Sequence, residues 1–328
     1  MILRRTIRSK EINNPKSVRI SPGGKYAYVN NLEGLNTAII DVQTGRILRS
    51  LHHTGKPVEL AFTQGGRYVW ISYFRLLEEG YPRDLGDERE YQYRSVVVVY
   101  DTLTQDFVAR VPVGIIPKVL AVTPDEKFVF VANWRSHSVT VVDADSFRVV
   151  REIRVGAVPR GMVFTPEGRF CYVANLGEHS LSIIDVLNLS VVETITNVGI
   201  KPRHLAISKD GSTLYLSNHG DGHVRTLDTK TNRITAEREV GEEPRTIVLS
   251  PDGRFLYVVC YQSNQLSVLD AQSIRVLATM TTDMHPVGVD VTPDGRYVWV
   301  ANQTASSVQV FEVTVSAEEL ESPAPESH

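Results

Sequence analysis

Cysteine is scarce in this chain, and both long apolar runs and a strong excess of one charge are missing. The 328 residues include two cysteines, Cys171 and Cys260, which are too few for a disulfide framework and are expected as buried free thiols. No stretch approaches the roughly 18 apolar residues of a membrane span. A formal net charge of −3 disfavours a general attraction to nucleic acid or anionic membranes. These absences predict a soluble protein, and 42% hydrophobic residues are enough for a core.

The first residues also lack a targeting signal. MILRRTIRSKEI starts with basic residues but has no apolar run of the kind that a signal peptide needs. The sequence therefore does not specify a compartment, and an exported protein whose signal peptide was removed stays an open alternative.

The chain consists of a repeated unit. Segments such as SVRISPGGKYAYVNN and RTIVLSPDGRFLYVVC share an apolar run, a turn, and a run of β-branched and aromatic residues. The prolines that open the units are Pro15, Pro57, Pro117, Pro159, Pro202, Pro244 and Pro286. Their spacings are 42, 60, 42, 43, 42 and 42 residues, so the second unit carries an insertion of 18 residues. A regular period of this length indicates a repeat architecture.

Each unit contains four short predicted strands. An apolar strand a leads through a turn such as SPGG or SPDG to strand b, and Asp-Gly or Gly-Gly pairs suit such tight turns. A loop leads to strand c, and a turn that begins with Asp, as in DADS or DTKT, leads to strand d. The β-branched runs exclude helical solenoids of similar period. We therefore predict an all-β fold, a seven-bladed β-propeller with four antiparallel strands per blade.

The last unit lacks its own strand d, and the start of the chain can supply it. Leu3–Arg8 stands before the first repeated proline as Ile47–His52 stands before the second, so we expect the N-terminal strand to close blade seven. Such closure would hide a sheet edge. Residues 1–314 then form one domain, and the acidic residues 315–328 are predicted to be a disordered tail.

The end of strand b carries a family resemblance. The sequences YVNN, FVANW, YVANLG, YLSNHG and WVANQ each follow a PDG-like turn and resemble the YVTN β-propeller repeat. Over all of its units, the chain resembles the YVTN, or YncE-like, family. The resemblance implies a seven-bladed propeller, often exported, periplasmic or surface-associated, and usually without established catalysis. The repeated asparagines are predicted to be structural, because asparagine tolerates left-handed backbone and bonds to local peptide groups.

A propeller places its two kinds of connection on opposite faces. The a–b and c–d turns lie on what we call the turn face, and the b–c and d–a loops lie on the loop face. The turn face repeats the same short turns, whereas the loop face varies between units. The insertion, at about residues 75–94, falls in the b–c loop of blade two. Long loops in compact domains are usually functional or disordered, and we interpret this one as a lid or a partner-binding arm. The alternative is a surface excursion without a function.

Aromatic, arginine and histidine residues accumulate on the predicted loop face. Tyrosine and arginine are common in binding hot spots, and eight of the nine histidines fall in or near loops of this face. A structural explanation stays open, because the turns of the other face demand Gly, Pro, Asp and Ser. The candidates for ligand contact on the loop face are Tyr73, Phe74, Tyr81, Tyr91, Tyr93, Trp134, Arg135, His137, His179 and Tyr261.

The residue after the opening proline is basic in five of the seven units. Strand a is the innermost strand of a blade, so these residues are expected near the mouth of the central channel. A ring of cations would attract an anionic ligand, and arginine suits carboxylate or phosphate groups. Alternatively, each cation pairs with a nearby carboxylate such as Glu242 or Glu243. The predicted channel-mouth residues are Lys16, Lys118, Arg160, Arg203, His204 and Arg245.

One loop carries side chains that suit a divalent metal. The segment SNHGDGH contains His219, Asp221 and His223, and imidazole and carboxylate are ligands for zinc and similar metals. The alternative is a polar hairpin with Asp-Gly turn chemistry. No other cofactor is predicted, and the haem-attachment motif CxxCH does not occur.

These features favour a non-catalytic binding propeller. Its loop face and channel mouth would bind a protein segment or an anionic small molecule. The alternative is a lactonase- or lyase-like enzyme that holds a metal or an anionic substrate at the same face. Nucleic-acid binding is disfavoured by the net charge and by the lack of basic stripes. Propellers serve as binding proteins and as enzymes, so the fold does not determine the function, which has to be inferred from the residues of the site.

Overall fold

Seven four-stranded antiparallel sheets, one for each repeat unit, form the fold. The computed structural model describes residues 1–77 and 93–314. The prediction of a seven-bladed β-propeller is confirmed. The predicted loop-face residues Tyr81 and Tyr91, residues 78–92 of the insertion predicted to be a lid or partner-binding arm, and the predicted tail, residues 315–328, lie outside the described residues.

The first three blades use four consecutive strands each. Strands a to d are Pro15–Ile20, Tyr26–Asn31, Asn36–Asp41 and Ile47–His52 in blade one (β2 to β5); Gly55–Thr63, Tyr68–Leu76, Arg94–Asp101 and Asp106–Ile115 in blade two (β6 to β9); and Pro117–Val122, Phe128–Asn133, Ser138–Asp143 and Val149–Arg154 in blade three (β10 to β13). A short 3-10 helix, Gln64–Gly66, forms the a–b turn of blade two.

Blades four to six repeat this arrangement. Their strands are Pro159–Phe164, Phe170–Asn175, Ser180–Asp185 and Ser190–Ile195 (β14 to β17); Pro202–Ile207, Thr213–Asn218, His223–Asp228 and Arg233–Glu239 (β18 to β21); and Pro244–Leu249, Phe255–Cys260, Gln265–Asp270 and Val276–Thr281 (β22 to β25). Blade seven has Pro286–Val291, Tyr297–Asn302 and Ser307–Glu312 (β26 to β28). Strand a begins at the repeated proline itself in every blade except the second.

The chain start completes blade seven. Strand β1 (Ile2–Ile7) pairs antiparallel with β28, from Ile2 opposite Glu312 to Ile7 opposite Val308. The innermost strands contact one another around the ring, and β2 contacts both β6 and β26. The predicted closure by the N-terminal strand is therefore confirmed, and the seven innermost strands surround the central channel.

The hydrophobic core lies between neighbouring blades. Trp299 of blade seven packs with Val18 of blade one, and Trp70 of blade two packs with Val129 of blade three. Strand β11 is buried at five of its six positions, whereas β13, at the outer edge, exposes five of six. The middle strands are covered on both faces, which explains their nearly continuous runs of β-branched and aromatic residues. None of the described residues forms a helix that could cross a lipid bilayer.

Buried side chains of the middle strands also bear out two smaller predictions. Cys171 and Cys260 are buried free thiols. Asn133 ends strand b, where its Oδ1 accepts a hydrogen bond from Gly114 N at 3.1 Å and its Nδ2 donates to Thr140 Oγ1 at 2.8 Å. Asn133 thus ties strand b to strand c of its own blade and to the end of strand d of the preceding blade.

Candidate functional site

The basic residues that follow the opening prolines lie on the innermost strands. They are Lys16 on β2, Lys118 on β10, Arg160 on β14, Arg203 on β18 and Arg245 on β22. Lys118 and Arg203 are only 6% and 8% exposed. The positive charges of Arg160 and Arg245 both act on Arg203. The structure therefore brings together, around one channel mouth, the five cations that the repeat pattern predicts.

Burial and mutual repulsion act on these cations in the same direction. Burial lowers the pKa of Lys118 well below its ordinary value, and the charge of Arg160 lowers it further. Burial and then Arg245 lower the pKa of Lys16 in the same way. Burial lowers the pKa of Arg160 to about 10. Each cation is therefore destabilised by its surroundings, and a bound anion would stabilise all of them.

Two carboxylates and a further arginine lie along the innermost strands of blades seven, one and two. We call Arg19, Glu59 and Asp290 the acid sector. Arg19 Nη2 lies 3.8 Å from Glu59 Oε2, and Asp290 Oδ2 accepts a hydrogen bond from Ile20 N at 2.7 Å. Burial raises the pKa of both Glu59 and Asp290, while the charge of Arg19 opposes that rise. Acids and cation thus partly compensate one another in this sector.

Blades three to six carry cations without interruption. Lys118, Arg160, Arg203 and Arg245 form what we call the cation arc. Blades two and seven have Val58 and Val287 at the equivalent positions. Arg245 Nη2 lies 3.5 Å from Glu243 Oε2, and the Glu243 side chain is 40% exposed. The channel mouth is therefore strongly positive on one side and mixed in charge on the other.

Three aromatic rings stand over the cation arc. Phe74, Trp134 and Tyr261, from blades two, three and six, form what we call the aromatic collar. Lys118 Nζ lies 3.8 Å from the centre of the Phe74 ring, and Arg245 Cζ lies 3.4 Å from that of Tyr261. Lys118 Nζ and Arg160 Cζ also lie 5.6 and 5.9 Å from the centre of the Trp134 ring. Aromatic faces attract cations, so the collar offsets part of the cost of burying them.

The backbone of the d–a loops holds the collar in place. Trp134 N donates to Ile116 O at 2.9 Å, and Tyr261 N donates to Glu243 O at 3.1 Å. Both acceptor residues precede an opening proline and have positive φ, 55° for Ile116 and 53° for Glu243. This conformation is uncommon for side chains other than glycine, and especially for a β-branched one. Left-handed residues on the loop face therefore fix the direction in which the collar residues leave strand b.

Several buried nitrogen atoms at the mouth have no hydrogen-bond partner in the part of the chain that the structure describes. They include Arg160 Nε, Arg245 Nε and Trp134 Nε1, together with both ring nitrogens of His204. Leaving a buried polar group unpaired costs about 1–3 kcal/mol, so native proteins rarely do so. The arginine and tryptophan atoms are donors, and a ligand with acceptor oxygens would satisfy them.

His204 lies beside the cations but is not one of them. Burial, followed by the charges of Arg19 and Arg203, lowers the pKa of His204 to about 3. Its ring is therefore neutral near pH 7 and can contribute a donor and an acceptor but no charge.

Tyr73 lies in the core rather than on the loop face. It is 2% exposed, and its hydroxyl lies 2.9 Å from Nδ1 of the buried His53. Strand β7 continues to Leu76, and Tyr73 pairs with Pro57 as Asn133 pairs with Pro117 in blade three. Tyr73 thus occupies the position of the repeated asparagine.

His137 and His179 connect adjacent loops. Val158 N donates to His137 Nδ1 at 3.0 Å, and Lys201 N donates to His179 Nδ1 at 2.9 Å. Each histidine has positive φ and ends a b–c loop. These contacts tie the b–c loop of one blade to the d–a loop that leads into the next blade, which is a structural role.

Two further loop-face candidates lie outside the ring of channel cations. Arg135 Cζ lies 5.8 Å from the centre of the Trp134 ring, so this arginine borders the collar. Tyr93 is 43% exposed. Both residues belong to b–c loops, Arg135 to that of blade three and Tyr93 to that of blade two.

The three predicted metal ligands have other contacts. Asp221 Oδ2 lies 2.7 Å from Arg225 Nη1, and His223 Nδ1 lies 2.6 Å from the Asp221 carbonyl oxygen. His219 Nε2 lies 3.9 Å from Glu243 Oε2, and burial lowers the pKa of His219 to about 3. Within the described ranges, no three His, Cys, Asp or Glu side chains group so that they could hold a metal. The metal site gains no support from this geometry and stays a prediction.

Sequence reasoning missed the acid sector. The signal was present in strand a, because the fourth residue after the opening proline is Arg19 in blade one and Asp290 in blade seven. The other blades have a small apolar residue there, namely Ala61, Ala121, Val163, Ala206 and Val248. A charged residue at a repeat position that is otherwise apolar could have indicated the channel.

Comparisons with known proteins agree with this fold. A family model described as a YncE-like β-propeller matches residues 92–315. Among solved structures, the chain is similar to a chain of Kuenenia stuttgartiensis hydrazine synthase, with a TM-score of 0.79 and 18% identity over 94% of this chain and 98% of that one. It is also similar to the β-propeller domain of Myceliophteria thermophila Cps50 (Swd1), with a TM-score of 0.77 and 14% identity over 95% and 99% of the two chains. No curated protein matches the chain. At these identities the solved structures show the fold alone.

Proposed function

The chain belongs to the YncE-like β-propeller family, and on this premise we propose that it is a non-catalytic binding protein that takes an anionic ligand at its channel mouth. The observation that carries the proposal is the accumulation of buried cations on one side of the channel. Lys118 and Arg203 are almost fully buried, and no hydrogen bond or ion pair within the described residues joins either side chain to a carboxylate.

The energetic cost of this arrangement supports a ligand. A buried charge without a partner is strongly destabilising, and like charges in one low-dielectric space add to that cost. The unpaired Arg160 Nε, Arg245 Nε and Trp134 Nε1 add donors that carboxylate or phosphate oxygens would accept. A fold retains such a group of residues at the expense of stability when it serves a site.

Calorimetric titration with sulfate at constant ionic strength tests this function. Sulfate is the probe because its charge stays at −2 across neutral and alkaline pH. We expect saturable binding to the wild-type protein and a loss of at least about tenfold, or 1.4 kcal/mol, in the Arg160→Met/Arg203→Met variant. The control variant is Arg148→Met/Arg151→Met, which removes two exposed arginines. If sulfate does not bind, or if both variants lose affinity equally, the channel mouth is not an anion site.

The enzyme alternative uses the same residues differently. A lactonase- or lyase-like reaction needs a general base with a pKa near the working pH. The pKa of His204, at about 3, is too low for an efficient base near pH 7. The enzyme alternative stays a prediction, and a binding role needs only the cations and donors already described.

Two further parts of the proposal concern the partner and the compartment. An acidic protein segment could supply the anionic groups in place of a small molecule, with Arg135 and Tyr93 extending the contact. The family resemblance implies an exported or periplasmic location. Cell fractionation tests the location, and a pull-down with the Arg160→Met/Arg203→Met variant as control tests the protein partner.

A further inference from the structure

We propose that the ligand is a compact, non-aromatic polyanion with at least two negative charges, such as a polycarboxylate or a polyphosphate, and that it binds against the cation arc, away from the channel axis. This inference rests on the proposed function, because it assumes that the channel mouth binds an anion. It adds the chemical class of that anion and its position.

The position follows from the distribution of charge among the blades. Four consecutive blades supply the cation arc, whereas the carboxylates Glu59 and Asp290 come from blades two and seven, on either side of Arg19 in blade one. The acid sector has two carboxylates against one arginine, so its charges compensate one another only in part. An anion is therefore attracted to the arc and repelled by the carboxylates of the acid sector.

The charge of the ligand follows from the same residues. The cation arc has Lys118, Arg160, Arg203 and Arg245, and the carboxylate in contact with it among the described residues is the half-exposed Glu243. A single negative charge would leave most of the arc without compensation. An anion with two or three charged groups can face several of these cations at once, and guanidinium groups bind carboxylate and phosphate oxygens in pairs.

The aromatic collar indicates that the ligand needs no ring of its own. Tyr261 lies between Arg245, 3.4 Å from its ring centre, and His285, whose ring is stacked 4.1 Å away at 9°. Phe74 lies against Lys118. In these contacts Arg245, His285 and Lys118 already occupy a ring face, so the rings hold the cations in place rather than offering those faces for stacking.

Glu59 acts as a built-in competitor for the ligand. Its charge acts on Lys16, Lys118, Arg160 and Arg203, which is four of the five channel-mouth cations. Asp290 is the matched comparison, because it is also a carboxylate beside Arg19 but is not one of the main charges acting on these four. Removing the charge of Glu59 should strengthen anion binding, whereas removing that of Asp290 should change it little.

The experiment measures the affinities of acetate, malonate and citrate by calorimetry at pH 7.5 and constant ionic strength. These probes share carboxylate chemistry and carry one, two and three charges. We expect affinity to rise at least fivefold with each added charge. Arg203→Met should weaken citrate binding at least tenfold, Arg203→Lys less, and Arg19→Met less than threefold. Glu59→Gln should strengthen citrate binding about threefold to tenfold, and Asp290→Asn should leave it within twofold. Thermal unfolding of each variant checks that it is folded.

The outcomes separate this inference from the proposed function. If all three anions bind with similar affinity and the arc variants weaken all of them, the channel mouth binds anions but the polyanion inference is overturned. If Arg19→Met weakens citrate as much as Arg203→Met does, the position is wrong. If an acidic peptide binds at this mouth and citrate does not, the ligand is a protein segment. If no anion binds, the proposed function fails together with this inference.

Discussion

On the turn face, Asp143 accepts hydrogen bonds from Ser146 N at 2.8 Å and Ser146 Oγ at 2.6 Å, whereas at the channel mouth Arg160 and Arg245 have buried nitrogens without a partner among the described residues. The same repeat unit thus produces two kinds of charged residue. Bonds from Ser146 lower the pKa of Asp143, because they favour the ionised form. Burial and neighbouring charges lower the pKa of Lys118, because they disfavour the ionised form.

The difference separates residues that serve the fold from residues that the proposed site would use. On the turn face, a charge within each turn is satisfied locally and recurs from blade to blade. At the mouth, cations from different blades converge with little compensation, and the variation between blades leaves most of them on one side of the channel. A charged residue in a repeat protein is therefore best judged by whether its own blade satisfies it.

The largest expected effect is a loss of stability in acid that originates on the loop-face side. Burial lowers the pKa of His53, His204 and His219 to about 3. The unfolded chain takes up protons near pH 6.5 while these folded side chains do not, so stability is complete above pH 6.5 and falls as the pH decreases towards 3. For the buried His53, the loss at pH 4.5 is at most about 3 kcal/mol. Urea unfolding between pH 8 and 4.5 measures it.

His53→Gln is the variant that isolates this effect. Glutamine can keep hydrogen bonds to Thr37 and Tyr73, the partners of the His53 ring, but it does not titrate. We expect a shallower dependence of unfolding free energy on pH than in the wild type. If the unfolding free energy of His53→Gln depends on pH as steeply as that of the wild type, the buried His53 does not control acid stability. The two faces would then not differ in how their charged groups make stability depend on pH.

A turn-face carboxylate has the next largest expected effect. Asp143→Ala removes the acceptor of two hydrogen bonds in the c–d turn, and we expect a loss of about 1–2 kcal/mol. Asp143→Asn should lose less, because one acceptor oxygen remains. The exposed Asp106 provides the control substitution Asp106→Ala, with little change expected. Thermal unfolding measures all three variants, and equal losses for Asp143→Ala and Asp106→Ala would contradict the local role of Asp143.

At the channel mouth we expect the substitution of a charged residue to increase stability rather than to decrease it. Arg203→Met removes one of several buried like charges, and replacing buried charges by apolar groups often stabilises a protein. In buffer with little multivalent anion, we expect Arg203→Met to raise stability by about 1 kcal/mol, and the exposed control Arg154→Met to change it little. Saturating citrate should reverse the order, because it stabilises the wild type more. If Arg203→Met is less stable than the wild type without citrate, the cations do not repel one another as proposed.

The repeat pattern predicted the fold and the cations, because both depend on a position within the unit. The five basic residues that follow opening prolines lie on the innermost strand of their blades, as the repeat position predicts. Arg19 and Asp290 stand out at their repeat position, but Glu59 and Arg19 belong to different blades and only the closed ring brings them within 3.8 Å, so their pairing could not be predicted.

Side-chain roles on the loop face depended on register, which the sequence pattern left open. Histidine is a residue type that often binds ligands, yet the Nδ1 atom of His137 accepts a hydrogen bond from the backbone N–H of Val158. Tyr73 was predicted on the surface, but the longer strand β7 places it in the core. The role of a histidine or tyrosine in a loop depends on which backbone group lies opposite, and residue type does not specify that.

The smallest expected effect concerns the pH dependence of anion binding, and it tests the channel mouth directly. Burial and nearby arginines lower the pKa of Lys16 and Lys118, so these lysines lose their protons at lower pH than an exposed lysine does. Sulfate binding should therefore weaken as the pH rises from 7 to 9, by less than about tenfold, and should take up protons.

Calorimetry in two buffers of different ionisation enthalpy measures that proton uptake. Lys118→Met should reduce both the uptake and the slope with pH, because one of the two titrating groups is gone. The exposed Lys127 gives the control Lys127→Met, which should leave both unchanged. The arginines of the cation arc keep their charge more readily than lysine does, so the sulfate affinity that remains at pH 9 measures the contribution of the arginines to binding. If binding does not depend on pH and its enthalpy is the same in both buffers, the lysines are fully charged before the anion binds. The repulsion between cations inferred at the mouth would then be too small to distinguish the two faces.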